Sequence, residues 1–234
     1  MAVVINGNGT VTGIAVGGLP DGIVDNGTMA DDAVAIADLA ATGTASSTTF
    51  LRGDNSWQAA GGGAWNYLRS NTASGSSSLE FTADIDSTYD VYKIIYSDLE
   101  FSTDVTFKFR IGASGYDSGS SDYSFAFSGG IGNGTSDYYS TSANGIILTG
   151  AAYQDGTATG SAHMEVTLYT PSDTTHNKTI GVQFVGQSSN PGIAHHLVGA
   201  GLRISTAAYT RIQLTPHSGT ITSGTARLYG ISNS

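Results

Sequence analysis

Val105-Thr-Phe-Lys-Phe-Arg-Ile111 sets Val105, Phe107, Phe109 and Ile111 against Thr106, Lys108 and Arg110 in strict alternation. Successive side chains of an extended strand point to opposite faces, so a period of two buries one face and leaves the other to water. Antiparallel sheets commonly carry one solvated face of this kind. The pattern recurs at Met164, Val166 and Leu168, which alternate with Glu165, Thr167 and Tyr169, and at Ile180, Val182 and Phe184, which alternate with Thr179, Gly181 and Gln183. Strand-like runs also cover Trp65–Arg69, Leu79–Ala83, Val91–Leu99, Tyr123–Phe127, Gly145–Leu148, Leu197–Ile204, Thr210–Leu214 and Ala226–Ile231. About ten strands and no convincing long helix predict an all-β head, an antiparallel two-sheet β-sandwich of jelly-roll-like type, with a closed barrel as the competing architecture.

Composition agrees with many short strands joined by turns. The 234 residues include 32 Gly, 29 Ser and 28 Thr, and only 12% are charged, against about 25% in ordinary soluble domains. The absence of cysteine excludes a disulfide scaffold, a Cys-based zinc site and a thiol nucleophile. Nine basic against 19 acidic residues give a net charge of −10, and the lysines are Lys93, Lys108 and Lys178. Displacing phosphate counterions needs clustered Lys and Arg, so the balance argues against nucleic acid and against an anionic membrane surface. Met1–Thr10 has no basic n-region or apolar h-region, and no apolar run nears the roughly 20 residues of a membrane span. Neither a signal peptide nor membrane insertion is expected.

The chain has two textures. Residues 1–63 hold two aromatics, Phe50 and Trp57, and one basic residue, Arg52, whereas residues 64–234 hold every other aromatic. So few large side chains cannot enclose a core, and residues 1–63 are expected to form an N-terminal attachment and shaft segment. Gln58-Ala-Ala-Gly-Gly-Gly-Ala64 is the joint to a head over 64–234. Between Asn6 and Gly18, Val11, Ile14 and Val16 alternate with small or polar residues, which predicts short extended pieces broken by glycine turns. Thr28-Met-Ala-Asp31 is capping-box-like, and Ala33, Ile36, Ala37 and Ala40 follow at helical spacing. A short helix near 29–41 is expected, too short to stand alone in water. Both features suit a shaft in which several chains bury one another's thin apolar stripes; a glycine-rich disordered leader is the alternative.

Gly43 and Thr44-Ala-Ser-Ser-Thr-Thr-Phe-Leu-Arg-Gly-Asp-Asn-Ser-Trp57 resemble the shaft-to-head element of tail fibres of tailed bacteriophages, of the form G-T-x-S-S-x-T-[FY]-L-R-G-D-x-x-W. Gly13-Ile-Ala-Val-Gly-Gly-Leu-Pro-Asp-Gly-Ile-Val-Asp25 is similar to the N-termini of short fibre proteins of marine podovirus type. The resemblance covers about the first 60 residues, and Asn55 and Ser56 stand where the family often has Gly-Thr. It implies a homotrimer on a virion, joined through its N-terminus to the phage tail, or to a second attachment protein because no long tail-anchoring domain is evident. Ile14, Val16, Ile36, Phe50, Leu51 and Trp57 are the expected shaft and neck contacts. A head fibre or capsid decoration protein is the alternative with the same trimeric architecture. Within this element Arg52-Gly53-Asp54 is read as a turn rather than a cell-adhesion ligand.

No G-x-S-x-G elbow, P-loop or H-E-x-x-H occurs, and Gly199-Ala-Gly-Leu-Arg-Ile204 lacks the third glycine of a dinucleotide loop. No catalytic residue, cofactor or enzymatic activity is expected. Asp117, Asp122 and Asp137 share one polar region, which keeps a two-carboxylate polysaccharide depolymerase as the competing hypothesis. His195 and His196 are adjacent and would point to opposite strand faces, so no metal is assigned. Gly115–Tyr123 and Phe127–Asn144 are rich in Tyr, Ser, Gly, Asn and Asp, the residues of binding loops. Tyr116, Asp122, Tyr123, Asp137, Tyr138, Tyr139 and Asn144 are therefore the candidate receptor contacts, for a host surface polysaccharide or an outer-membrane receptor. The competing reading has these tyrosines covering sandwich edges or the trimer interface. Adsorption would draw on many weak contacts acting together.

Overall fold

Period-two burial organises the strands of residues 64–232 in the computed structural model, which describes residues 4–5, 11–12, 35–59, 64–132, 134–135, 137–148, 160–188 and 192–232. The chain divides into two units, Met1–Gly61 and Gly62–Ser234. The sequence places the change of texture at residue 63.

In the first unit β1 (Val4–Ile5) pairs antiparallel with β2 (Val11–Thr12). A hairpin joins β3 (Thr49–Leu51) to β4 (Trp57–Ala59), with Leu51 opposite Trp57. The Arg52 N–H donates to the Ser56 carbonyl at 2.9 Å, and the Asn55 N–H to the Arg52 carbonyl at 3.0 Å. The Asp54 carboxylate accepts the Ser56 N–H at 3.2 Å and its hydroxyl at 2.6 Å. Arg52-Gly53-Asp54 is thus built into the turn, as Asp two residues before a backbone donor favours. Thr42 bridges Ser56, and Gly43 takes a φ of +88° where a Cβ would lie 2.7 Å from the Trp57 carbonyl oxygen. Only glycine fits that approach. Of the helix expected near 29–41, residues 29–34 lie outside the described residues, and the rest carries one 3₁₀ turn, Ile36–Asp38, whose Asp38 carboxylate accepts the Ala35 N–H at 2.9 Å. Ile36, Phe50 and Leu51 are exposed and Trp57 is half-buried. Ile14 and Val16 lie outside the described residues.

The second unit is all-β and antiparallel. Its large sheet runs in the order β10 (Gly134–Thr135), β9 (Tyr123–Ile131), β15 (Ala194–Arg203), β14 (Lys178–Gln187), β13 (Ala162–Tyr169), β7 (Val91–Phe101), β17 (Ile221–Ile231) and β5 (Trp65–Thr72), with β11 (Tyr138–Ala143) also paired to β9. A smaller sheet runs β12 (Ile146–Leu148), β8 (Phe107–Gly112), β16 (Arg211–Pro216) and β6 (Leu79–Phe81). Among the described residues the sheets are unequal, nine strands against four. Strand β11 falls within a stretch read from sequence as binding loop. Its Tyr138 packs on Phe125 at 5.3 Å between ring centres, which gives the segment an apolar anchor.

The two inner faces meet through aromatic side chains, consistent with a β-sandwich. Phe109 of β8 lies 5.7 Å from Tyr96 of β7, and Phe107 lies 5.7 Å from Phe184 of β14 and stacks on Phe101 at 5.4 Å. Met164, Val166 and Leu168 are buried, as are Ile180, Val182 and Phe184. Each fully buried side chain of this size contributes about 1.5–3 kcal/mol. Gly201 of β15 permits close approach of the sheets, since a Cβ there would sit 2.3 Å from Ile146 Cδ1 of β12.

Phe109→Ala is expected to lower the unfolding free energy by about 3–5 kcal/mol in urea titrations, through lost burial and a residual cavity. Gly201→Val should also destabilise, by wedging the sheets apart. A change below about 1 kcal/mol for Phe109→Ala would contradict this packing.

Candidate functional site

The outer face of the large sheet has no covering layer among the described residues. Strand register lays one row of side chains across it: Tyr139, Ala126, Ala200, Gly181, Thr167, Lys93, Tyr229 and Tyr67. The middle of the row is small, and the ends are aromatic. Tyr139 is 76% exposed, the most open large apolar or aromatic side chain among the described residues of the head. Tyr169 lies over Gly181, its hydroxyl oxygen 3.5 Å from where a Cβ would stand. Three strand spacings separate Tyr139 from Gly181, about 14 Å at roughly 4.8 Å per strand. Between them is an open hollow of about 400 Å³ lined by Ser124, Ala126, Tyr139, Thr141, Thr179 and Ala200.

The hollow offers apolar floor, hydroxyl rim and one rigid aromatic wall, with no acid or base among its lining residues. Such a surface accepts the C–H face of a flat, polar molecule and satisfies hydroxyls at its edge. Farther along the row the charge is locally neutralised: the Lys93 ammonium pairs with Glu165 and lies 5.1 Å from the Trp65 ring centre. Trp65 and Tyr67 meet the Tyr229 ring edge-on at 5.6 and 5.8 Å.

The seven expected contacts do not form one cluster. Tyr139 belongs to the hollow, and Asp137 accepts the Ser128 hydroxyl at 2.7 Å on the neighbouring hairpin. Tyr138 alternates to the other side and is half-buried on Phe125. Tyr123 is a core residue, not a surface contact: its hydroxyl donates to the Ile111 carbonyl and accepts the Ile111 N–H, each at 2.9 Å, and burial pushes its pKa up to about 12. Asp122 closes its own loop by accepting the Gly119 N–H at 2.5 Å. Tyr116 and Asn144 lie with the small sheet. The Tyr116 hydroxyl donates to Glu80, Arg211 stands 5.7 Å from its ring, and Asn144 receives Arg110 Nε on its backbone oxygen at 2.8 Å. Ala126, Ala200 and Thr179 were not singled out in the sequence, where they appear only as small members of strands.

Asp117 accepts Arg203 Nε at 2.6 Å, so all three acids of the depolymerase hypothesis hold intramolecular hydrogen bonds. Among the described residues no group of three or more His, Cys, Asp or Glu is placed to hold a metal ion, and no helix is long and apolar enough to cross a membrane. His195 and His196 point to opposite faces, His195 inward against Phe184 at 5.1 Å and His196 to solvent. In comparisons with known proteins, no family model, curated protein or solved structure matches the chain.

Burial first, and the His196 charge second, lower the His195 pKa below its ordinary 6.5. Below that pH the unfolded chain binds more protons at this residue than the folded one, so stability falls as pH drops through 6.5. His195→Leu should flatten the loss of stability between about pH 7 and 5 in denaturant titrations. An unchanged slope would contradict this account.

Proposed function

We propose that the chain is a structural virion protein, a phage tail fibre whose β-rich head binds a glycan on the host surface during adsorption. The observation that carries the binding reading is the uncovered trough beside Tyr139, with its small floor and hydroxyl rim. Tyrosine supplies rigid amphipathic contact area at low entropic cost, and the serines and threonines around it adapt their hydrogen bonds to hydroxyls. The hollow's neutral lining suits a saccharide better than a charged peptide. The engagement of Asp117, Asp122 and Asp137 within the fold favours binding over glycoside hydrolysis.

The virion assignment rests on the resemblance at Gly43–Trp57, and the local structure is compatible with it. Gly43, Asn55 and Asp54 each have a stereochemical task in the hairpin. Ile36, Phe50 and Leu51 remain exposed in the single chain, as expected of a thin segment that gains its burial from sister chains in a homotrimer. Attachment to the tail through the N-terminus leaves the heads free, and several weak contacts per particle add by multivalency.

On arrays of bacterial lipopolysaccharide and capsular polysaccharide, the full-length protein is expected to bind a restricted set. Tyr139→Ala should weaken that binding about tenfold, equivalent to about 1.4 kcal/mol. Binding to none of the glycans, or undiminished binding by the variant, would overturn the glycan reading. Light scattering should give three chains per particle, and a monomer would remove the shaft. Immunogold labelling of virions should mark the tail; gold spread over the capsid shell would assign the protein to the head instead.

A further inference from the structure

The small sheet carries a second surface of different chemistry. Because Phe107, Phe109 and Ile111 are buried, Lys108 and Arg110 project together from the opposite face of β8. Arg211 occupies the same face of β16, where alternate residues Ile212 and Leu214 are buried. Glu80 of β6 is the carboxylate of that face, and it already receives the Tyr116 hydroxyl. Among the described residues, three cations against one engaged acid is a local excess of positive charge in a chain of net charge −10.

Among the described residues, no carboxylate pairs with Lys108 or Arg110. Their nearest polar partner is neutral: Asn144 offers its backbone oxygen to Arg110 Nε at 2.8 Å and its side-chain oxygen to Lys108 Nζ at 3.4 Å. Fixing Nε leaves the two terminal guanidinium nitrogens of Arg110 for another acceptor, in the planar fork that suits oxyanions. Beside Lys108 lies a hollow of about 260 Å³ lined by Thr106, Phe107, Lys108, Asn144, Ile147 and His217. That volume is just under the roughly 300 Å³ at which pockets for whole small ligands begin, so it suits one charged group and part of what bears it. Desolvation, and then the Arg110 charge, lower the Lys108 pKa. An anion between the two would relieve the like-charge contact.

We infer that Lys108, Arg110 and Asn144, with the hollow that reaches His217, form a binding site for an oxyanion, the carboxylate or phosphate of a larger ligand such as an acidic saccharide. The site lies on the small sheet, does not include Tyr139 and stands whether or not the trough binds glycan. Lys108 and Arg110 are like charges on successive outward positions of one strand and repel each other, and a bound oxyanion gives that arrangement a use. Thr106 and His217 add hydrogen-bonding groups at the rim, and Ile147 adds an apolar contact for the ring or chain that carries the anion.

The lysine content makes the test selective. Reductive ¹³C-methylation of the full-length protein keeps the charges and labels Lys93 and Lys108 together with the amino terminus, Lys178 being buried with its ammonium held by the His176 and Thr206 carbonyls, and the signal lost in Lys108→Arg identifies Lys108. Trigalacturonate, its uncharged methyl ester and inorganic phosphate are then titrated separately. A saturable shift of the Lys108 signal with trigalacturonate and not with the ester, with Lys93 unmoved, is the expected result. Arg110→Gln should weaken that affinity at least fivefold and Arg110→Lys should retain more of it, with both variants keeping the wild-type melting temperature. A tighter response to trigalacturonate than to phosphate assigns the anion to a saccharide, and the reverse order assigns it to phosphate. No Lys108 shift with either anion, or an equal shift with the ester, overturns the proposal. Failure of Tyr139→Ala to alter glycan binding would leave this result untouched.

Discussion

The aromatic contact between the two sheets is the constraint on which the head depends. Phe107 and Phe109 reach across to Phe184 and Tyr96, and no disulfide ties the layers together in a chain without cysteine. Once these rings face inward, strand geometry leaves no choice about the residues between them. Lys108 and Arg110 must point out of the small sheet, as Glu165 and Thr167 must point out of the large one. The core and the two candidate surfaces are therefore consequences of one alternation. A one-residue slip in β8 would bury two cations and expose the phenylalanines, so the register is fixed by a penalty far larger than any single contact.

The two exteriors solve different problems. The large sheet spreads nine strands and leaves its central row small, so its outer surface is broad, shallow and almost uncharged between Tyr139 and Tyr169. The small sheet is narrower, and its outward positions are half-buried by one another, so its charges are crowded and partly desolvated. A neutral polar ligand loses little on meeting the first surface. An anion is favoured on the second, where Lys108 and Arg110 are partly withdrawn from water and their charges are less screened than in open solvent.

Much of the head was legible in the sequence, because its strands carry the period-two pattern at full strength. The runs at Val105–Ile111, Met164–Leu168 and Ile180–Phe184 have their apolar members in the core. Strand β11 was missed because Tyr138-Tyr139-Ser140-Thr141 alternates in exposure rather than in polarity: one tyrosine packs on Phe125 while its neighbour is open to solvent. Tyr123 was misjudged for a related reason. A tyrosine among serines and glycines looks like a binding residue, yet here its hydroxyl closes the Ile111 backbone from inside the sandwich. The sequence names the side chain but not the face.

The candidate surfaces were harder to see than the core for a physical reason. A core announces itself through residues that are neighbours along one strand, whereas the trough and the cationic patch are assembled across strands. Ala126, Ala200 and Gly181 come together only through the pairing of β9, β15 and β14, and Lys108 meets Asn144 only because β12 folds back on β8. Small residues and isolated cations have no periodic signature of their own. Their proximity depends on registers that the buried aromatics impose, so surface chemistry in a sandwich of this kind becomes readable only after the core has been placed.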